Sequence, residues 1–216
     1  MRGRFISLEG GEGAGKSTQA LMLADALAAR GLAVVRTREP GGTPGAEAIR
    51  ALLLDPAGAD AGEGWSPAAE ALLFAAARAD HVERVVRPAL ERGAWVVCDR
   101  FLDSTRAYQA GDGGPSDADI LELHRIGAHG LLPDLTLLLE ASPATTTARL
   151  AARDMGASDR IGGRDAAYHA AVVRRFGALA AAEPVRFVRI DAEGAACQVH
   201  ARVLQAIEAL LAQASA

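Results

Sequence analysis

Short apolar runs of β-type composition alternate along the chain with longer segments rich in alanine and leucine. The apolar runs lie at Phe5–Leu8, Ala33–Thr37, Trp95–Cys98, Leu135–Leu139 and Val185–Ile190. The segments between them carry apolar residues at helical spacing, so strands and helices are expected to follow one another in turn. Such alternation is typical of a parallel sheet covered by helices. The pattern therefore predicts an α/β fold with a five-stranded parallel sheet wrapped by helices.

Seven longer segments have the spacing expected of helices. They are Ser17–Arg30, Pro44–Leu54, Pro67–Arg92, Asp117–His129, Pro143–Ala152, Asp165–Ala182 and Ala196–Ala214. Gly31 and Gly93 follow two of these segments, at positions where a glycine commonly ends a helix. Pro67 and Pro143 stand in first turns, where a missing backbone N–H is tolerated. These residues support the predicted helix boundaries.

Two segments interrupt the regular pattern. Asp55–Ser66 is rich in glycine, alanine and acidic residues and is predicted to be a surface loop. Asp154–Arg164 mixes glycine, serine and aspartate with two arginines and is predicted to be a mobile flap. A chain of 216 residues is long enough for one sizeable α/β domain and short for two. We therefore expect a single domain over residues 1–216, with a lid at about 153–164.

Composition and charge exclude several classes of protein. Half of the residues are apolar and 23% are charged, which is typical of a folded chain. The formal net charge of −4 argues against general nucleic-acid binding, which needs a basic face. No apolar run approaches the length of a membrane span, and Arg2 and Arg4 lead directly into the first strand, so we expect no signal peptide and a cytoplasmic protein. Cys98 and Cys197 lie far apart, which predicts neither a disulfide framework nor a zinc site.

A glycine-rich motif connects the first predicted strand to the first predicted helix. It reads Gly10-Gly11-Glu12-Gly13-Ala14-Gly15-Lys16-Ser17, followed by Thr18, and fits the pattern G-x-x-x-x-G-K-[ST]. In such a loop, backbone N–H groups at a helix N-terminus surround the β-phosphate. Lys16, the only lysine among 23 basic residues, is expected to reach the β- and γ-phosphates, and the Ser17 hydroxyl to bind Mg²⁺. The motif predicts binding of ATP and Mg²⁺, but it leaves a kinase, a GTPase, a motor and a binding switch open.

Further blocks of sequence resemble the thymidylate kinase family. The blocks are Phe5–Gln19, Thr37–Thr43 (TREPGGT), Leu73–Arg78 (LFAAAR), Asp99–Phe101, Ser104–Gln109 (STRAYQ) and Pro133–Leu137 (PDLTL). They fall in the family's order and spacing and extend over nearly the whole chain. The resemblance implies a P-loop nucleoside monophosphate kinase fold, a homodimer with the Pro67–Arg92 helix among the interface candidates, and transfer of phosphate from ATP to dTMP in dTTP biosynthesis.

The resemblance also implies which residues bind the acceptor. Arg38 and Glu39 follow the second strand at the carboxyl edge, where α/β sheets bind ligands, and Arg50 would clamp the acceptor phosphate. Phe74 and Arg78 are four residues apart on one helix, so they share a face and would stack on thymine and bond its carbonyl edge. By the same resemblance Thr105 and Gln109 contact the base, Tyr108 packs near the sugar, and Glu12 lies near the 3′-hydroxyl.

Charge stabilisation is expected from residues around the transferred phosphate. Asp99 and Arg100 follow the third strand, where the acid can organise Mg²⁺ and the arginine can bridge the two sets of phosphates. Where some family members carry an arginine in the phosphate loop this chain has Ala14, so the missing charge is expected from the lid. The lid arginines are Arg149, Arg153 and Arg160. The predicted catalytic residues are Lys16, Asp99, Arg100 and Arg153, Arg149 is assigned to ATP, and the predicted metal ligands are Ser17, Asp99 and Glu39.

Several assignments have a purely structural alternative. Phe74 by itself fits a core position, and Arg38 with Glu39 fits a surface ion pair. The chain also departs from the family's usual pattern at Gly162–Gly163 in the flap and at Ala110–Pro115 after the last predicted base contact. These departures concern the contacts of the lid and not the reaction. Separately, a kinase for another nucleoside monophosphate and a nucleotide-driven binding switch stay open as alternative functions.

Overall fold

The computed structural model describes residues 3–54, 64–111, 113–154 and 161–214, with only the backbone described at 153, 154, 213 and 214. In this part of the chain the strands are β1 (Phe5–Glu9), β2 (Val34–Arg38), β3 (Trp95–Asp99), β4 (Leu135–Glu140) and β5 (Phe187–Asp191). They form a five-stranded sheet in the order β2-β3-β1-β4-β5, and every neighbouring pair is parallel. The predicted five-stranded parallel sheet is confirmed.

Helices connect the strands and cover both faces of the sheet. They are α1 (Lys16–Ala28), α2 (Pro44–Leu54), α3 (Pro67–His81), α4 (Arg87–Glu91), α5 (Leu102–Tyr108), α6 (Asp117–Ala128), α7 (Pro143–Asp154), α8 (Ala166–Ala182) and α9 (Ala196–Ala214). Within the described residues, no helix has both the length and the apolar character that crossing a membrane would require.

The predicted helix Pro67–Arg92 is one helical segment with an irregular middle. A π-helical stretch, Val82–Val86, separates α3 from α4. Pro88 lies just beyond this stretch. Proline has no backbone N–H to donate, and its ring crowds the preceding turn. A wider turn is a common way for a helix to absorb such a residue without ending.

The sheet separates two apolar cores because successive side chains of a strand point to opposite faces. On one face Ile6 and Leu8 of β1 are fully buried in a cluster with residues of α1 and α9. On the other face Phe5 is buried with Phe101, and the two rings meet edge to face with centroids 4.8 Å apart. A third cluster around Tyr108 and residues of α8 packs beside the sheet. The cores hold the loops at the carboxyl edge of the sheet in place.

Most differences from the predicted boundaries are of one or two residues. β2 begins at Val34, one residue later than predicted. β5 begins at Phe187 and not at Val185. The β-branched side chain of Val185 favoured a strand, but the residue lies in the preceding turn and is 97% exposed. Much of the two predicted irregular segments falls at residues 55–63 and 155–160, which lie outside the described residues.

Candidate active site

The glycine-rich loop between β1 and α1 has the backbone conformation that its sequence requires. Gly13 and Gly15 have positive φ angles of 72° and 95°, in the left-handed region that glycine adopts without strain. A Cβ at Gly13 would lie 2.7 Å from the carbonyl oxygen of Thr146, and one at Gly10 would lie 2.4 Å from that of Leu139. The loop therefore leads into the N-terminus of α1 at a spacing that only glycine permits, and it presents backbone N–H groups suited to an anion.

Lys16 lies at the base of a cavity of about 780 Å³. Its ammonium group donates to the carbonyl oxygen of Gly11 at 2.7 Å, and the side chain is almost fully buried. Burial, and then the neighbouring charge of Arg100, lowers the pKa of Lys16 to about 8. An anion in the cavity would relieve both effects by restoring a countercharge.

The carboxyl ends of three strands meet beside this lysine. In register, Asp99 of β3 stands opposite Arg38 of β2 and Leu8 of β1. Arg38, Glu39, Asp99 and Arg100 all line the cavity. The predicted clustering of these side chains at the carboxyl edge agrees with the structure, because parallel strands all end at the same edge.

Ser17 and Asp99 form a pair suited to a hard cation. The Ser17 hydroxyl donates to Oδ2 of Asp99. Oδ1 of Asp99 is buried and has no hydrogen-bond partner among the described residues, so it can serve as an oxygen ligand to a cation. Glu39 is different, since its two oxygens accept bonds from Arg78 at 2.8 Å and His81 at 3.0 Å. No group of three or more His, Cys, Asp or Glu side chains suited to a metal occurs within the described ranges.

Arg100 crosses from the sheet edge to the phosphate loop. Its backbone has a positive φ of 67°, which is uncommon outside glycine and aims the side chain back over the loop. The guanidinium forms an ion pair with Glu12, donates to the Ser104 hydroxyl at 3.1 Å, and lies 5.0 Å from the Tyr108 ring centroid. A planar cation is thereby fixed between the phosphate loop and helix α5.

The predicted base-binding residues divide into two layers. Phe74, Tyr108 and Gln109 line the cavity. Arg78 and Thr105 do not appear in the described cavity wall; each is 2% exposed, and Arg78 donates to the Thr105 hydroxyl at 2.6 Å. Arg78 thus connects Thr105 to Glu39 behind the wall.

The remaining predicted residues lie around the cavity. Arg50 of α2 lines it and donates to the carbonyl oxygen of Pro40 at 2.9 Å. Arg38 is bound to both oxygens of Glu47 at 3.2 Å and stays largely exposed. Thr18 of α1 is also part of the wall.

The lid arginines are described only in part. Arg149 of α7 lines the cavity and donates to the carbonyl oxygens of Ala192, at 2.9 Å, and Gly194, at 3.1 Å. It also donates to that of Ala14 at 3.4 Å, so it reaches the phosphate loop. The side chain of Arg153 and the whole of Arg160 lie outside the described residues.

Comparison with known proteins decides the family. The sequence model of the thymidylate kinase family matches residues 8–203. A thymidylate kinase of Rhizorhabdus wittichii is 56% identical over 211 residues, which cover 98% of this chain and 100% of that protein. The chain belongs to the thymidylate kinase family. A further thymidylate kinase, from Chromohalobacter salexigens, is 50% identical over 210 residues, which cover 97% of this chain and 93% of that protein.

A solved structure gives the same result for the fold. The crystal structure of a thymidylate kinase from Ehrlichia chaffeensis superposes with a TM-score of 0.76 at 28% identity, over 96% of this chain and 100% of that one. The predicted thymidylate kinase family, its P-loop nucleoside monophosphate kinase fold and the predicted enzyme class, a nucleotide kinase, are therefore confirmed. The roles of individual residues stay predictions.

Two buried acids near the cavity were missed by sequence reasoning. Glu9, at the end of β1, accepts from the backbone N–H of Phe101 at 2.7 Å and from the Ser104 hydroxyl at 2.6 Å. Burial, and then the charge of Asp103, raises the pKa of Glu9 to about 8. Glu70 of α3 accepts from Gln109 and Arg164. A glutamate in an apolar strand or a buried helix face is the sequence signal that could have found both.

Proposed function

We propose that the chain transfers the γ-phosphoryl group of ATP to dTMP and forms ADP and dTDP, a step of dTTP biosynthesis. One observation carries the proposal. The same cavity is lined by Lys16 and the phosphate loop and by Phe74 and Gln109. A donor triphosphate and an acceptor nucleoside monophosphate could therefore bind in one cavity with their phosphates close together. Membership of the family supports dTMP as the acceptor.

We place the phosphates of ATP on the glycine-rich loop. The backbone N–H groups at the start of α1 and the ammonium of Lys16 would hold the β- and γ-phosphates, and Arg149 would approach from α7. Ser17 and Asp99 would hold Mg²⁺ through the hydroxyl and the unpartnered Oδ1. When bound, the ion would supply positive charge that neutralises the phosphates. Glu39, the third predicted ligand, is already held by Arg78 and His81, so we place it beyond the ion's direct contacts.

We place dTMP at the opposite end of the cavity. Arg50 and Arg38 would bind its phosphate, Phe74 would stack on the base, and Arg100 lies where it could contact both sets of phosphates. The attacking phosphate oxygen is already ionised at neutral pH, so the reaction needs no strong general base. Positioning and charge neutralisation carry the catalysis.

The proposal also includes a lid and a cellular location. Residues 1–216 would act as one domain with a lid at about 153–164, from which Arg153 would add charge to the transition state. The enzyme would work in the cytoplasm, where ATP is supplied. Cys98 and Cys197 are both free thiols, which fits a reducing compartment.

We also propose a homodimer formed through the exposed apolar side chains of α3 and α6, which include Leu72 and Ile126.

A coupled ADP-release assay tests the reaction. We expect rapid ADP formation only when ATP, Mg²⁺ and dTMP are all present, with loss on chelation of Mg²⁺ and recovery on its return. UMP, CMP and GMP serve as alternative acceptors and should be much poorer. ADP formation that does not depend on dTMP would instead favour a nucleotide-driven switch, and preference for another monophosphate would assign the chain to a different acceptor.

A further inference from the structure

Gln109 presents its side-chain amide at the wall of the nucleotide cavity, and a buried acid lies directly behind it. The Gln109 amide nitrogen donates to Oε1 of Glu70 at 2.9 Å. Glu70, on α3, is 2% exposed, and Gln109 is nearly as buried at the end of α5. The contact therefore lies inside the protein, between two helices that border the cavity.

A third residue determines which groups of this cluster donate. Arg164 forms an ion pair with the second oxygen of Glu70 at 2.6 Å, and its guanidinium lies 4.6 Å from the Tyr168 ring centroid. Arginine can only donate, and a carboxylate can only accept. Glu70 therefore presents a carboxylate oxygen to Gln109, and Gln109 must donate to that oxygen through its NH₂ group. Its carbonyl oxygen Oε1 is then left for the cavity side.

We propose that Glu70 is a positioning residue which fixes the orientation of the Gln109 amide and thereby makes the enzyme select thymine over cytosine. This rests on the proposed function, in which the acceptor base lies against Phe74 and Gln109. Within the base of dTMP the only hydrogen-bond donor is the ring N3–H. An acceptor held in the cavity wall matches this group, whereas the N3 of cytosine is itself an acceptor and would face the Gln109 oxygen unpaired.

The substitution Glu70→Gln tests the proposal with almost no change in shape. Arg164 would still require an oxygen from residue 70, so the new NH₂ group would face Gln109. Gln109 would then turn its oxygen toward residue 70 and its NH₂ group toward the base. We expect kcat/KM for dTMP to fall by about tenfold or more, since a buried mispaired group costs that much in discrimination. We expect kcat/KM for dCMP to rise.

The double variant E70Q/Q109E provides the decisive comparison. It exchanges the acid and the amide, so the amide at 70 donates to the carboxylate at 109, and a carboxylate oxygen again faces the base. We expect it to regain preference for dTMP over dCMP relative to E70Q. dUMP, which carries the same N3–H, should follow dTMP in every variant. The control Glu122→Gln, at an exposed position of α6, should leave all ratios unchanged.

The outcomes separate the possible explanations. A dTMP to dCMP ratio that is unchanged in E70Q, or an equal loss with both acceptors, would show a merely structural role for Glu70 and overturn the proposal. Failure of E70Q/Q109E to regain the preference would overturn it too. If the unaltered enzyme does not phosphorylate dTMP at all, the proposed function itself fails, and this result is obtained before any variant is made.

Discussion

Lys16 is proposed to bind phosphate as a cation, although its surroundings disfavour the charged form. It is the only lysine of the chain, it lies buried at the base of the cavity, and its pKa is lowered to about 8 by burial and by Arg100. The charged form is the one that can neutralise phosphate oxygens. The free enzyme should therefore lose its phosphate-binding charge as the pH rises through 8.

We predict that kcat/KM for ATP falls above pH 8, approaching roughly tenfold per pH unit, because this parameter reports the free enzyme. kcat at saturating ATP should hold to higher pH, since bound phosphates favour the ammonium. Steady-state rates between pH 7 and 9.5 measure both. Burial raises the pKa of Tyr108, which removes it from this range, but Glu9, whose pKa is raised to about 8, titrates within it, so a lysine variant is needed to assign the fall. Lys16→Arg should be less active but should show no such fall; the same fall in this variant would contradict the assignment to Lys16.

Residues of the site differ in how far the sequence predicts them. Lys16 and Ser17 could be placed because their motif specifies a backbone shape, and that shape specifies the ligand. Glu70 could not be placed, since its partners Gln109, which follows α5, and Arg164, which precedes α8, come near it only in the folded protein. For Arg78 the sequence does not predict the burial, which depends on the contacts of its side chain with Phe101 and Thr105.

At the scale of elements, helix α5 is held in place by a charged cluster on the side away from its cavity residues. Arg106 donates to Asp117 at 2.8 and 2.9 Å, to Glu183 at 2.5 Å and to Asp103 at 3.2 Å. These partners join α5 to the start of α6 and the end of α8. Arg186 also binds Asp103, which keeps one cation beside that acid. The cluster thus connects α6 and α8 to the helix that ends at Tyr108.

We predict that Arg106→Met lowers the free energy of unfolding by about 3 kcal/mol, at the low end of the range for breaking a buried ion pair, because Arg186 still compensates Asp103. Urea denaturation measures this change. Arg125→Met is the matched control, since the pair of Arg125 and Glu122 is exposed and should contribute at most about 1 kcal/mol. Equal losses in the two variants would show that the cluster does not hold the helices together.

Element boundaries follow the sequence wherever a local signal marks them. Ser116 caps α6 with a capping box to Asp119, and α6 begins at the predicted residue. Asp165 caps α8 by accepting from the N–H of Tyr168, so α8 begins one residue later than predicted. The π-helical stretch before Pro88 lies inside a continuous helical segment, and no capping residue marks where it begins. The order of the strands likewise depends on contacts distant in sequence.

At the scale of the whole molecule, helices α3 and α6 pack closely and leave apolar side chains outside. A Cβ at Gly127 of α6 would lie 3.3 Å from that of Ala79 of α3, so the two helices nearly touch. Leu72 of α3 and Ile126 of α6 are 55% and 61% exposed. Large apolar side chains on adjacent exposed helices are typical of a subunit interface.

We predict that the enzyme is a homodimer and that Leu72→Glu with Ile126→Glu makes it a monomer, because an acid buried between two copies would be unpaired. Light scattering coupled to size-exclusion chromatography measures the mass. Val173→Glu, which changes a similarly exposed apolar residue on α8, is the control and should leave the mass unchanged. Since α3 also carries Phe74 and Glu70, loss of the partner should raise KM for dTMP more than KM for ATP. A wild-type monomer, or a double variant that stays dimeric, would place the interface elsewhere and leave these side chains as ordinary surface.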